Sequence, residues 1–71
     1  MIRLNSVEYD YVPGMSLNEL VDIYNADHPV KLDFKEFIVI VNSTAITAPQ
    51  APQRLIEDND TIFIFPVLDG G

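Results

Sequence analysis

The sequence predicts an α+β domain in which one helix packs on one face of a sheet. Phe37–Val41 and Thr61–Phe65 are short runs rich in β-branched and aromatic side chains, which are typical of strands. One segment with helical spacing precedes both runs and follows two alternating segments, so we expect it to pack against the strands. The chain has 71 residues, which is enough for one small domain.

The N-terminal segments predict a β-hairpin. Met1–Asn5 alternates apolar and polar residues, and Val7–Tyr11 does the same. Asn5–Ser6 between them is a turn signal, and Pro13–Gly14 ends the second strand.

The predicted helix begins after Ser16. Ser16 is a favourable N-cap, and Glu19 lies three residues later, which is the capping-box pattern. We expect a helix of about ten residues that ends near Asn25. Its apolar side chains recur at helical spacing and are Leu17, Leu20, Val21 and Tyr24.

The remaining segments give weaker signals. Asp33–Glu36 is compatible with a short turn of helix, and Thr44–Thr47 with a short strand. Pro49 and Pro52 are expected to prevent regular structure in the segment that contains them. Arg54–Ile56 is a candidate for one further turn.

The C-terminal residues are expected to form a tail. Pro66 lacks the N–H that a sheet ladder uses, and Gly70 and Gly71 resist ordering. The sequence therefore predicts a folded domain over residues 1–65 and a flexible tail over residues 66–71.

Composition excludes several classes of function. Eleven acidic against four basic residues give a net charge of −7, which disfavours binding to nucleic acid or to an anionic membrane. The charge serves either solubility or attraction to a basic protein partner. The chain contains no cysteine, which excludes disulfides and thiolate zinc sites. We expect a cytoplasmic protein, because the sequence shows neither a signal peptide nor a membrane span.

The two strongest strand segments carry more apolar surface than one helix can cover. Alternate residues of a strand line opposite faces, so Ile62 and Ile64 point one way while Phe63 and Phe65 point the other. Unless residues 42–60 or a second copy cover the far face, it should present an apolar partner surface. The expected members of this exposed set are Phe63, Phe65, Ile38 and Ile40.

Several segments resemble one known family when they are taken together. They are Met1–Asn5, Ser16–Val21, Ile38–Asn42, Leu55–Ile62 and the Gly70–Gly71 end. With these segments in this order, the chain resembles the ThiS/MoaD superfamily of sulfur carriers, which have the ubiquitin-like β-grasp fold. The family usually has glycine where this chain has Asn59, and asparagine also tolerates a left-handed backbone.

The resemblance implies a fold and a set of contact residues. The fold is a mixed sheet of four to five strands with one main helix on one face, in which the first and last long strands are parallel. Ile62 and Ile64 would then face the helix. The residues implied to contact a partner are Phe63, Phe65, Pro66, Val67, Leu68 and Asp69.

The resemblance also implies a reaction at the C-terminus. An activating enzyme of the ubiquitin-activating type would use ATP and Mg²⁺ to adenylate the Gly71 carboxylate, which follows Gly70. A sulfur donor would then replace AMP and leave a thiocarboxylate. The chain would be a protein substrate, not an enzyme, and would bind neither cofactor nor metal itself.

Two pathways fit this reaction. The short chain and the Asn5–Ser6 turn look like carriers of the ThiS type, which supply a thiazole synthase in thiamin biosynthesis. Phe63–Val67 looks more like the MoaD-type small subunit, which serves the large subunit of molybdopterin synthase. We favour the thiazole pathway, and a non-catalytic β-grasp interaction module is a further alternative.

His28 and the acidic turn are interpreted more simply. The lone histidine, His28, lacks the additional ligands that a metal site needs. Asp58 and Asp60 lack the spacing of a calcium loop, so we interpret them as a solvated turn.

Overall fold

A computed structural model of the protein describes residues 1–67. Its main regular elements are five strands and one α-helix, α1. They are β1 (Ile2–Leu4), β2 (Val7–Tyr9), α1 (Leu17–Asp27), β3 (Phe37–Val41), β4 (Thr44–Ile46) and β5 (Thr61–Pro66). The strands form one sheet in the order β2-β1-β5-β3-β4. The predicted α+β fold, with one helix and a five-stranded mixed sheet of the β-grasp type, is confirmed.

The last strand of the chain is the central strand of the sheet. β5 is parallel to β1, with Arg3 opposite Thr61, and antiparallel to β3, with Val39 opposite Ile64. The chain therefore leaves the sheet from its central strand, next to β3.

The core lies between α1 and one face of the sheet. Leu17, Leu20 and Val21 are the buried residues of α1. The sheet side chains that are almost completely buried with them are Ile2, Leu4, Val39, Ile62 and Ile64. Ile62 and Ile64 thus face the helix, as the resemblance implied.

Polar contacts define both ends of α1. The predicted capping box is present: Glu19 N donates to Ser16 Oγ at 3.3 Å, and Ser16 N donates to Glu19 Oε1 at 3.4 Å. At the other end the Lys31 ammonium donates to the carbonyls of Asn25 and His28. A cation at this end complements the helix dipole.

Two Asn-Ser pairs form the tight hairpin turns beside β5. Asn5 and Ser6 have φ values of 49° and 70°. Asn42 and Ser43 repeat this geometry with 50° and 71°. A two-residue hairpin loop of type I′ requires positive φ at both positions, which asparagine tolerates well.

The Asn5 side chain continues the sheet where β1 ends. Its Oδ1 accepts a hydrogen bond from Ile64 N at 2.9 Å, and its Nδ2 donates to Ile64 O at 2.9 Å. β1 ends at Leu4 and has no backbone groups opposite Ile64. The Asn5 carboxamide makes the two hydrogen bonds that a further peptide group of β1 would make. β5 consequently remains bonded on this side as far as Ile64.

The Asn42 side chain holds the start of β5 together with a buried carboxylate. Asn42 Oδ1 accepts from Thr61 N at 3.0 Å, and Asn42 Nδ2 donates to Asp60 Oδ1 at 2.7 Å. Asp60 is 3% exposed, and its Oδ2 also accepts from Glu57 N at 2.9 Å. Arg54 lies 3.8 Å from the same oxygen. The prediction of a solvated turn is therefore wrong for Asp60, which is buried with its hydrogen bonds satisfied.

β5 extends one residue beyond the predicted Thr61–Phe65 and includes Pro66. The backbone groups of Ile62 and Ile64 are directed towards β1 and Asn5, so those of Pro66 also point to that side. β1 has already ended at this point, so an N–H on Pro66 would have no partner there. The missing N–H also removes no bond to β3, because β3 lies on the other side of β5. The proposed division into a domain over 1–65 and a tail over 66–71 stays a prediction, although Pro66 is paired with Phe37.

Two further local predictions are wrong. Ala51–Gln53 forms a 3₁₀ turn that contains Pro52 near its start, where a missing N–H costs nothing. Arg54–Ile56 is extended, not helical, and Leu55 forms a β-bridge with Ser16.

Residues 33–36 do not form a turn of helix. Phe34 to Phe37 instead form a tight turn closed by a hydrogen bond from Phe37 N to Phe34 O at 3.2 Å.

Asn5→Ala is expected to destabilise the domain more than Asn5→Gly. Both variants lose the two bonds to Ile64, which contribute about 1–3 kcal/mol together. Alanine also disfavours the left-handed backbone by about 1–2 kcal/mol, whereas glycine adopts it freely. Urea unfolding measures both free energies, and equal stability of the two variants and the wild type would contradict the role of Asn5.

Asp60→Ala should lower the free energy of unfolding by about 3 kcal/mol, because it leaves buried donors without an acceptor. Asp22→Ala is the matched control, since Asp22 is exposed on α1 and its removal changes the net charge equally. Thermal unfolding should show a large loss for Asp60→Ala and little change for the control. Equal effects would mean that charge, not hydrogen bonding, sets the stability.

Candidate functional site

The candidate site is the face of the sheet that α1 does not cover, together with the end of β5. Phe63 and Phe65 are 41% and 42% exposed there, whereas Ile62 and Ile64 on the opposite face are buried. The predicted exposure of the two phenylalanines is confirmed.

β3 extends the apolar surface of β5. Ile40 lies opposite Phe63 and Ile38 lies opposite Phe65 in the antiparallel register, so each pair shares a face. Ile38 is exposed and Ile40 is half-buried. We call these four residues, Ile38, Ile40, Phe63 and Phe65, the open-face patch.

The long segment between β4 and β5 does not cover the open-face patch. Ala51 and Ile56 from this segment are buried in the core on the helix side. Leu17 N donates to Arg54 O at 2.8 Å, and Ile56 N donates to Met15 O at 2.9 Å. The alternative in which residues 42–60 fold over the patch is therefore wrong.

A charged pair lies on the same face, over β1 and β2. Arg3 is opposite both Glu8 and Thr61, and its guanidinium lies 3.6 Å from the Glu8 carboxylate. Both side chains are about half exposed. Because both side chains are exposed, their charges are accessible to a partner. An exposed pair of this kind contributes little to stability.

The chain leaves the sheet directly beside the open-face patch. Pro66 follows Phe65, and both Pro66 and Val67 are exposed. Val67 N donates to Glu36 O at 2.9 Å. A partner that covers Phe65 therefore also lies next to the point from which the C-terminal residues extend.

The structure describes some of the predicted site residues and not others. Phe63, Phe65, Pro66 and Val67 lie together at this end of β5. The predicted residues that lie outside the described part of the chain are Leu68, Asp69, Gly70 and Gly71.

Sequence reasoning missed the side chains that hold β5 in position. The sequence predicts the turn at Asn5, but it does not predict the carboxamide bonds of Asn5 to Ile64 and of Asn42 to Thr61. The turn pattern alone gives no sign of a partner so distant in sequence. Asp60 was missed for the same reason, because Asn42 lies eighteen positions away.

Two groups with a shifted pKa lie away from the open-face patch. Burial of its hydroxyl raises the pKa of Tyr9, with smaller effects from Asp27 and Tyr24. Tyr9 is opposite the buried Ile2, so it lies on the helix side. A hydrogen bond of 2.8 Å from the N-terminal ammonium lowers the pKa of Asp58.

His28 packs at the end of α1. Its ring stacks on Tyr24, with centroids 3.8 Å apart, and its Nδ1 lies 2.9 Å from Tyr24 O. Within residues 1–67 no three His, Asp or Glu side chains group together as metal ligands would. In the same range α1 is neither long nor apolar enough to cross a membrane.

Comparison with known proteins places the chain in a family. No curated protein sequence matches it. The model of the ThiS family matches residues 2–71, which is nearly the whole chain. The chain therefore belongs to the ThiS family, within the ThiS/MoaD superfamily of small ubiquitin-like sulfur carriers.

Proposed function

We propose that this sulfur carrier is adenylated and then thiocarboxylated at the carboxylate of Gly71. The observation that carries the proposal is the family match, which extends through Gly70 and Gly71. The geometry supports the proposal, because the central strand ends at the exposed Pro66, and the exposed Val67 follows it beside the open-face patch.

The chemistry requires an activating enzyme. A free carboxylate resists attack by a sulfur nucleophile, so the Gly71 carboxylate first attacks the α-phosphorus of ATP and releases pyrophosphate. Hydrosulfide then attacks the acyl carbon, a C–S bond forms, the C–O bond to AMP breaks, and loss of the S–H proton leaves the thiocarboxylate. We propose that the enzyme holds ATP and Mg²⁺, while the carrier supplies the carboxylate.

The open-face patch is the proposed docking surface for the activating enzyme. Phe63 and Phe65 are 41% and 42% exposed, so burial of their remaining surface would contribute roughly 1–3 kcal/mol of transfer free energy. The net charge of −7 favours a basic partner surface and accelerates its encounter with the carrier.

We propose a thiazole synthase of thiamin biosynthesis as the acceptor of the sulfur. The short chain and the Asn5–Ser6 turn favour this pathway. Phe63–Val67 favours the alternative, in which the large subunit of molybdopterin synthase is the acceptor.

The open-face patch also supports a second candidate function. A β-grasp domain with an exposed apolar face is suited to bind partners without any chemistry at its end. In that case removal of Gly70 and Gly71 would leave partner binding and biological activity intact.

The full chain, incubated with a cognate activating enzyme, ATP and sulfide, should gain the mass that corresponds to exchange of one oxygen for one sulfur. Intact-mass spectrometry measures the gain. A chain that lacks Gly71 should gain nothing, because its last residue is displaced from the reacting atoms. An unchanged wild type, or a gain that survives the deletion, contradicts the proposal.

Phe65→Asp should raise the KM of thiocarboxylation about 30-fold, because loss of a central apolar contact costs about 2 kcal/mol of docking free energy. Val30→Asp is the control, since Val30 is exposed outside the sheet and receives the same charge. Steady-state kinetics should show a KM near the wild-type value for the control. A Phe65→Asp variant with wild-type KM would place docking elsewhere.

The thiocarboxylated carrier should lose its sulfur to a thiazole synthase. A parallel incubation with the large subunit of molybdopterin synthase should leave the mass of the carrier unchanged. The reverse result assigns the chain to the second pathway.

A further inference from the structure

We propose that Glu36 is a positioning residue whose backbone carbonyl fixes the point and direction from which the C-terminal residues leave the body. This inference rests on the proposed function, because it assigns a task to Glu36 in the delivery of the Gly71 carboxylate.

The first observation is the final hydrogen bond described for the strand. On the β1 side, β5 is bonded as far as Ile64, through the Asn5 side chain. On the β3 side, pairing continues to Pro66 opposite Phe37, and Val67 N then donates to Glu36 O at 2.9 Å. Glu36 is therefore the residue that holds the chain closest to its C-terminus within the described range.

The second observation is the backbone conformation of Glu36, which has a φ of 63°. This left-handed conformation costs a residue with a side chain about 1–2 kcal/mol. Such strain persists where the surrounding structure imposes it, and it concentrates at functional positions. The turn from Phe34 to Phe37 imposes it here, with Phe34 buried in the core.

The turn that contains Glu36 is held from both ends. At its start, Phe34 N donates to Asp33 Oδ1 at 2.7 Å. Phe37 begins β3 and donates to Phe34 O. Glu36 therefore lies within a turn that is hydrogen-bonded at both ends, and its carbonyl accepts the bond from Val67 N.

The anchor limits the reach of the terminal carboxylate. Four residues follow Val67, and they span at most about 14 Å. Without this bond the pairing with β3 would still hold the chain to Pro66, so five residues would follow and would span up to roughly 18 Å. A shorter free segment explores a smaller volume, which favours the close approach of reacting atoms that group transfer requires.

The backbone of Glu36, and not its carboxylate, carries this role. The side chain is exposed, whereas the carbonyl makes the bond to Val67. Glu36→Gly keeps the left-handed conformation without strain, and Glu36→Gln removes only the charge. Glu36→Val strongly disfavours positive φ because valine is β-branched, and Glu36→Ala disfavours it more mildly.

The test measures amide hydrogen exchange at Val67 by NMR, together with kcat and KM for thiocarboxylation of the full chain. We expect protection of the Val67 amide in the wild type, Glu36→Gly and Glu36→Gln. In Glu36→Val the protection and kcat should each fall about tenfold, which corresponds to loss of one hydrogen bond. KM should stay unchanged because the open-face patch is intact.

Protection of the Ile64 amide reports whether each variant is folded. If Glu36→Val loses it, Glu36→Ala provides the same comparison at lower strain, with smaller losses expected at Val67 and in kcat.

Three results would overturn the inference. They are an unprotected Val67 amide in the wild type, an unchanged kcat in a folded variant that has lost this protection, and a kcat for Glu36→Gln as low as that of Glu36→Val. A wild type that takes up no sulfur contradicts the proposed function itself. A wild type and a Glu36→Val variant that take up sulfur equally well contradict only the role of Glu36.

Discussion

The structure depends on keeping its last strand in the centre of the sheet. β5 needs hydrogen-bond partners on both sides, but β1 ends at Leu4, before β5 does. The Asn5 carboxamide supplies the missing partner on the β1 side at Ile64, and the Asn42 carboxamide does the same on the β3 side at Thr61, since β3 pairs with β5 only as far as Val41. A buried, satisfied Asp60 completes the arrangement. The sheet can then release its C-terminal segment from a rigid central position.

One face of β5 belongs to the core, and the other belongs to the proposed docking surface. Its isoleucines complete a core that a chain of this size can cover with one helix. Its phenylalanines have no such cover within residues 1–67, and they form the open-face patch with Ile38 and Ile40. The proposed docking surface thus lies directly beside the point where the chain leaves the sheet.

Local patterns predicted much of this fold, and non-local contacts account for the rest. The capping box at Ser16 and the alternation of Ile and Phe in β5 were readable because each pattern lies within one element. The expectation for Pro52 was wrong, because Pro52 lies near the start of a 3₁₀ turn, where a missing N–H costs nothing. β5 includes Pro66, because its missing N–H points away from β3. The side-chain bonds of Asn5 link positions fifty-nine residues apart, which no local pattern records.

The central claim is that sulfur is carried on the C-terminal carboxylate, and the absence of cysteine permits a direct measurement. After reaction with the activating enzyme, ATP and sulfide, a thiol-selective alkylating reagent should label the chain, because a thiocarboxylate is a sulfur nucleophile. Proteolysis and tandem mass spectrometry should locate one label on Gly71. Absence of label on the reacted chain, or a label at any other residue, would contradict the account.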